Sequence, residues 1–140
     1  MNIDPRIKVY GDLNYRNPKA PKEDQEAQTL VNQIRKKYPH VLFMHIKNEG
    51  KKTKAQADFD RSMGMMQGAS DFIFLGYPMM CLELKRQDHT LSKWQPNQQE
   101  FLINSQTHGC ISVVCFGWSA GFQAVEDWIL LQRKEVKVSD

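Results

Sequence analysis

A single α/β domain, with one mixed sheet and helices on both of its faces, is the fold class that the sequence predicts. Apolar residues recur at helical spacing in four segments, three of them closed by proline or glycine. Short apolar runs of strand length lie between those segments. The chain has 140 residues, enough for one core and too few for two ordinary domains. The order is helix, strand, helix, hairpin, helix, strand, helix, with no internal repeat, low-complexity tract or linker.

Composition narrows the function classes. Hydrophobic residues make up 41% of the chain and charged residues 25%, as in soluble globular proteins. No apolar run approaches the roughly 18 residues that a membrane span requires, and the polar N-terminus has no signal-peptide core. No membrane partner is expected. A net charge of +3 is only mildly basic, compatible with nucleic acid without demanding it. Cys81, Cys110 and Cys115 are odd in number and sit in apolar runs, which reads as buried reduced thiols of a cytoplasmic protein. His40, His45, His89 and His108 do not supply zinc-site spacing beside them.

Residues 1–20 are polar and broken by Pro5, Gly11 and Pro18, and read as an arm packed on the domain. Ile3, Ile7, Val9 and Leu13 can form a short edge strand there. The domain proper spans 21–133. Its first helix covers 21–38, with Ala27, Leu30, Val31, Ile34 and Tyr38 on one stripe and Pro39 ending it. Glu23 and Glu26 fall in its first turns, where carboxylates suit the helix dipole. Each also borders the apolar stripe, so position alone does not choose between them as a site residue.

A strand over 41–47 leads into a basic, turn-forming loop at 48–53. Thr53 is placed to cap a helix over 54–66. Two apolar strands joined by Gly76-Tyr-Pro78 form the central hairpin over 68–86. Next come a polar loop, a helix over 95–108 with Pro96 in its first turn, a buried strand over 110–116, and a last helix over 119–132. Residues 134–140 form a charged tail.

The hairpin carries the chemistry. Asp71 opens its first strand, and Glu83 and Lys85 interrupt the second. Residues two apart on a strand share a face, so Glu83 and Lys85 point one way and Leu82 and Leu84 the other. Charges in so apolar a setting are costly unless paired or bound to something. Mg²⁺ or Mn²⁺ takes one or two carboxylates plus water and phosphate, and Asp71, Glu83 and the Leu84 carbonyl fit that need. Lys85 lies beside them, able to steady negative charge on a phosphate. A structural aspartate with a surface Glu–Lys pair is the alternative of about equal weight. Lys51, Lys52, Lys54, Arg86 and Lys93 surround the hairpin as candidate phosphate contacts.

These residues resemble the PD-(D/E)xK nuclease superfamily, and within it the virus-type replication-repair nuclease (VRR-NUC) domain, stand-alone phage type. The matching features span about 23–129: a Glu/Gln-rich first helix, Asn48-Glu-Gly50 after the next strand, and Gly68-Ala-Ser-Asp71 where Gly-x-Pro-Asp is usual. Leu82-Glu-Leu-Lys-Arg86 follows, then Leu91-Ser, Gln98 with Phe101, and Gly109 before the last strand. Ser70 in the proline position alters backbone stiffness and leaves the ligand set intact. The resemblance implies a restriction-endonuclease-like core. It implies Asp71, Glu83, Lys85 and Gln98 as catalytic residues, with Glu26, Asp71, Glu83 and Leu84 holding Mg²⁺ or Mn²⁺. Glu26 is ranked ahead of Glu23 as the first-helix acid, and Asn48 joins the basic residues as a DNA contact. It further implies a homodimer cutting branched DNA, such as Holliday junctions or flaps, in the cytoplasm of a phage host. A sequence-specific or end-processing nuclease of the same superfamily, or a non-catalytic branched-DNA-binding module, is the alternative.

Overall fold

Two six-residue strands, buried along nearly their whole length, form the centre of the sheet in the computed structural model, which describes residues 1–46 and 52–132. They are β4 (Met80–Lys85) and β5 (Ile111–Phe116), parallel neighbours with Leu82 opposite Val113 and Lys85 opposite Phe116. Outside β5 lies β1 (Lys8–Tyr10), parallel to it. On the other side β3 (Phe72–Phe74) and then β2 (Phe43–His45) run antiparallel, giving the order β1-β5-β4-β3-β2. The first twenty residues therefore supply a sheet strand, and Ile7 is buried in the core.

Alternation along the strands divides the core in two. Phe72, Phe74, Leu82, Leu84, Val113 and Cys115 face α1 (Glu23–Lys37) and α4 (Trp118–Leu131), which contribute Leu30, Ile34, Val125 and Trp128. Cys81, Val114 and Phe116 face α3 (Gln98–Thr107), which contributes Leu102. The same alternation turns Glu83 and Lys85 toward the α3 side. Helix α2 (Lys54–Ser62) begins at Thr53, whose hydroxyl accepts the Gln56 N–H at 3.1 Å.

The first helix is framed by charge as well as by apolar spacing. Glu23, Asp24 and Glu26 sit in its first turn and Arg35, Lys36 and Lys37 in its last, both favourable to the helix dipole. The third helix starts later than the periodicity predicts. Pro96 and Asn97 make a turn before it, Asn97 with φ 69°, and the Gln98 side chain accepts the Gln95 N–H at 2.8 Å. That turn aims the Gln98 amide back toward the sheet. The α2 helix also ends at Ser62 rather than 66, and Gly64 and Gly68 take positive φ in the loop beyond it. The expected tail at 134–140, and Asn48 and Lys51 in the basic loop, lie outside the described residues.

Candidate active site

The β3–β4 register decides where the acids meet. Phe72 pairs with Leu82, so the ladder continued by one residue sets Asp71 opposite Glu83. Side chains directly opposite on neighbouring strands are close neighbours, and two carboxylates are thereby brought together by backbone pairing alone. Asp71 Oδ2 accepts the Leu84 N–H at 2.8 Å. In an extended strand the N–H and C=O of one residue point to the same edge, so the Leu84 carbonyl also opens toward Asp71.

Glu83 and Lys85 are each only 1% exposed. Lys85 Nζ lies 3.7 Å from Glu83 Oε1, an ion pair beyond hydrogen-bond range. Its hydrogen bonds go elsewhere: to the Lys93 carbonyl at 3.0 Å and to Gln98 Oε1 at 2.9 Å. Gln98 Nε2 donates to Glu83 Oε1 at 3.1 Å. One amide thus ties the ammonium to the carboxylate without letting them close on each other.

The remaining Glu83 oxygen, Oε2, is buried and receives no hydrogen bond from an N–H or hydroxyl group among the described residues, while the Asp71 carboxyl is near enough to Glu83 for the two to share a proton. A buried carboxylate oxygen left this way is expensive. Burial first, and the charge of Asp71 second, push the Glu83 carboxyl well above its ordinary range. Burial also raises Asp71, offset in part by its hydrogen bond with the Glu83 carboxyl, then by the Leu84 N–H and Lys85.

The first helix contributes differently from expectation. Glu26, 2% exposed, turns its Oε2 to the Trp118 N–H at 2.8 Å, on the first residue of α4. Gly117 makes this possible: a Cβ there would lie 2.9 Å from that carboxylate oxygen, and its φ is +91°. Glu26 therefore caps α4 and is not a member of the carboxylate cluster. Glu23 is the acid that faces it. Its Oε1 accepts the Ser92 hydroxyl at 3.2 Å, and its carboxyl feels both Lys85 and Asp71. Much of Glu23 remains in solvent, yet burial of its carboxyl end raises its pKa. Residues i and i+3 lie on nearly the same face of a helix, so sequence spacing alone left that choice open.

The basic residues divide as well. Lys54 and Lys93 have exposed side chains. Lys52 is paired with Asp60 at 2.6 Å, and Asp60 also accepts from Gln56. Arg86 is half-buried and donates to the carbonyls of Ala20 and Pro21, fastening the segment before α1 to the end of β4. Its role in the structure is that of a tie between chain segments.

Sequence reasoning offers Lys93 in the loop after β4 as a candidate phosphate contact and gives that loop no part in holding the cluster, yet it touches the cluster at four successive residues. Ser92 holds Glu23, the Lys93 carbonyl and the Trp94 ring meet Lys85, and the Gln95 N–H meets Gln98. A tryptophan in an otherwise polar loop was the one visible signal; a carbonyl contact leaves none.

Among the described residues no three His, Cys, Asp or Glu side chains converge as a metal-holding group. Two carboxylates do, with a backbone carbonyl beside them and one oxygen lacking an N–H or hydroxyl donor. Those all-oxygen donors match a hard divalent cation, which needs only one or two protein carboxylates when water and phosphate complete its shell.

No family model and no curated protein matches the sequence. A solved structure described as a VRR_NUC domain protein is similar in fold, with a TM-score of 0.65 at 20% identity over 84% of this chain and 95% of that one. The five-stranded mixed sheet with its flanking helices is thus a VRR-NUC-like fold.

Proposed function

We propose that this chain is a divalent-metal-dependent nuclease of the VRR-NUC group in the PD-(D/E)xK superfamily, hydrolysing phosphodiester bonds of DNA. One observation carries the reading. In a VRR-NUC-like fold, a single hairpin brings Asp71 opposite Glu83 with Lys85 on the same face, and Gln98 bridges the last two.

Asp71 and Glu83, helped by the Leu84 carbonyl, are the residues that would hold Mg²⁺ or Mn²⁺. When bound, such an ion supplies Lewis acidity at the scissile phosphate and lowers the pKa of water. The chain's own groups do the rest. The Lys85 ammonium, fixed by Gln98 and the Lys93 carbonyl, offers positive charge to the phosphate oxygens as negative charge develops there. Gln98 keeps that ammonium from collapsing onto Glu83. Glu23 adds a third carboxylate at the rim, held by Ser92, and takes the first-helix role in place of Glu26. Lys54 and Lys93, together with Asn48 and Lys51, are the phosphate contacts of this reading.

The substrate proposed is branched DNA, such as a four-way junction or flap, and the working form a homodimer. A two-fold pair of sites matches the two symmetric cuts that a junction requires. Phage origin and action in the host cytoplasm belong to the same reading, which rests on the resemblance in sequence motifs.

Labelled four-way junction, 5′-flap, splayed-arm and linear duplex DNA, each with Mg²⁺, Mn²⁺ or EDTA, test it. Symmetric, metal-dependent junction cuts are expected. Cutting of plain duplex at a fixed sequence would favour a restriction-type relative. Tight binding to one substrate without any cutting would make the chain a DNA-structure-binding module.

A further inference from the structure

Lys85 is the buried group with the most contacts in the site, and one of them is aromatic. Its Nζ stands 5.3 Å from the centre of the Trp94 ring, on the ring face. A lysine ammonium has three N–H groups on a flexible four-carbon stem. The Lys93 carbonyl and Gln98 Oε1 take two. The π-face of Trp94 also attracts the ammonium, and Glu83 stands beside it at 3.7 Å.

The ring is itself fixed. Trp94 Nε1 donates to the Asn2 carbonyl at 2.9 Å, and Gln99 Nε2 donates to that same carbonyl at 3.3 Å. Asp4 N–H in turn donates to Gln99 Oε1 at 2.8 Å. Trp94 is half-buried against the core cluster that includes Ile7 and Leu102. The N-terminal residues, read from sequence as a packed arm, thus brace the indole that faces the lysine.

We propose that Trp94 is a positioning residue for Lys85: its ring face holds the ammonium at a distance from Glu83, and the Asn2 carbonyl holds the ring. Without the ring, the third N–H finds its nearest acceptor in Glu83. The ion pair closes, the lysine turns away from the substrate phosphate, and the carboxylate is covered. Trp94 touches neither substrate nor metal in this account, and the assignment rests on the nuclease reading of the same site.

The test uses the full chain with Trp94→Leu and Trp94→Phe. Phenylalanine keeps a π-face and loses the Asn2 hydrogen bond; leucine loses both. Single-turnover cleavage is expected to fall about tenfold or more in Trp94→Leu with DNA affinity unchanged, and to recover most of that loss in Trp94→Phe. The second readout needs no activity: NMR of the Lys85 side chain should show ring-current-shifted methylene protons in the wild type, weaker shifts in Trp94→Phe and none in Trp94→Leu. Wild-type cleavage by Trp94→Leu, or equal losses in both variants, overturns the proposal. So does an unshifted Lys85 in the wild type. If the wild type cuts no DNA but the shift pattern holds, the nuclease reading fails while the Trp94–Lys85 pairing stands.

Discussion

Gln98 meets Lys85 and Glu83 through the two ends of one amide, its oxygen 2.9 Å from the Lys85 ammonium and its nitrogen donating to Glu83. An amide has a donor end and an acceptor end, and here each is matched to the charge it faces. The ammonium and carboxylate share a face of β4 and would otherwise neutralise each other directly. The amide keeps the two groups apart, at 3.7 Å.

Replacing that amide should therefore harm activity more than binding. Gln98→Leu removes hydrogen bonds to two charged groups, each worth about 1.5–3 kcal/mol. Cleavage is expected to drop at least about tenfold, with DNA affinity held and a measurable loss of thermal stability. Single-turnover rates beside equilibrium binding check this. A purely thermal effect would make Gln98 a structural residue.

The two first-helix acids should separate cleanly. Glu26 caps the N-terminus of α4 through Trp118, so Glu26→Ala should cost about 0.5–2 kcal/mol of stability, the usual range for a lost cap, while the folded fraction keeps cutting. Glu23→Gln should do the opposite, slowing cleavage with little change in melting temperature. The sequence-based ranking, Glu26 ahead of Glu23, predicts the reverse. Parallel melting curves and cleavage assays distinguish the two.

Stability should depend on pH through the buried acids. Burial raises the carboxyl pKa of Glu83, Asp71 and Glu23 above their unfolded values near 4. Their contribution is therefore fully present below about pH 4 and lost as pH climbs through the raised folded values. Metal-free protein should lose this component of stability progressively as pH rises above about 4. Mn²⁺ binds the ionised carboxylates, so the rise in melting temperature that it gives should grow over the same interval. A metal effect independent of pH would contradict the assignment.

Gly68 should resist substitution. It has φ +85°, and a Cβ there would lie 2.5 Å from the backbone carbon of Asn97, immediately before Gln98. Gly68→Ala combines an unfavourable backbone conformation with a clash against backbone, a loss expected at about 2–4 kcal/mol. Because Asn97 leads into Gln98, cleavage should suffer beyond the loss of folded protein. Denaturant melts with activity per folded molecule check both parts.

The fold was legible where periodicity was strong. Leu82 and Leu84 on one face, with Glu83 and Lys85 on the other, follow from strand alternation, and the apolar runs marked β4 and β5. Short edge strands were less visible: β1 has three residues, Lys8, Val9 and Tyr10, and carries almost no pattern. Within the site, Asp71, Glu83 and Lys85 stood out by residue type and spacing on the hairpin and Gln98 through the resemblance alone, and the structure brings these four side chains together. Glu23 and Glu26 were not separable, since what distinguishes them is the partner each reaches across space: Ser92 for one, Trp118 for the other. Arg86 reads as a phosphate contact by charge alone, and nothing in the sequence signals that two of its N–H donors bind the carbonyls of Ala20 and Pro21. The Lys93 carbonyl beside Lys85 is invisible in any sequence, because every residue has one.

The central claim is that Asp71, Glu83 and Lys85 form the catalytic centre, and Lys85→Ala tests it most directly. Single-turnover cleavage of labelled four-way junction with Mg²⁺ or Mn²⁺ should disappear in this variant, while junction binding in EDTA stays close to wild type. Cleavage at the wild-type rate by correctly folded Lys85→Ala would contradict the account.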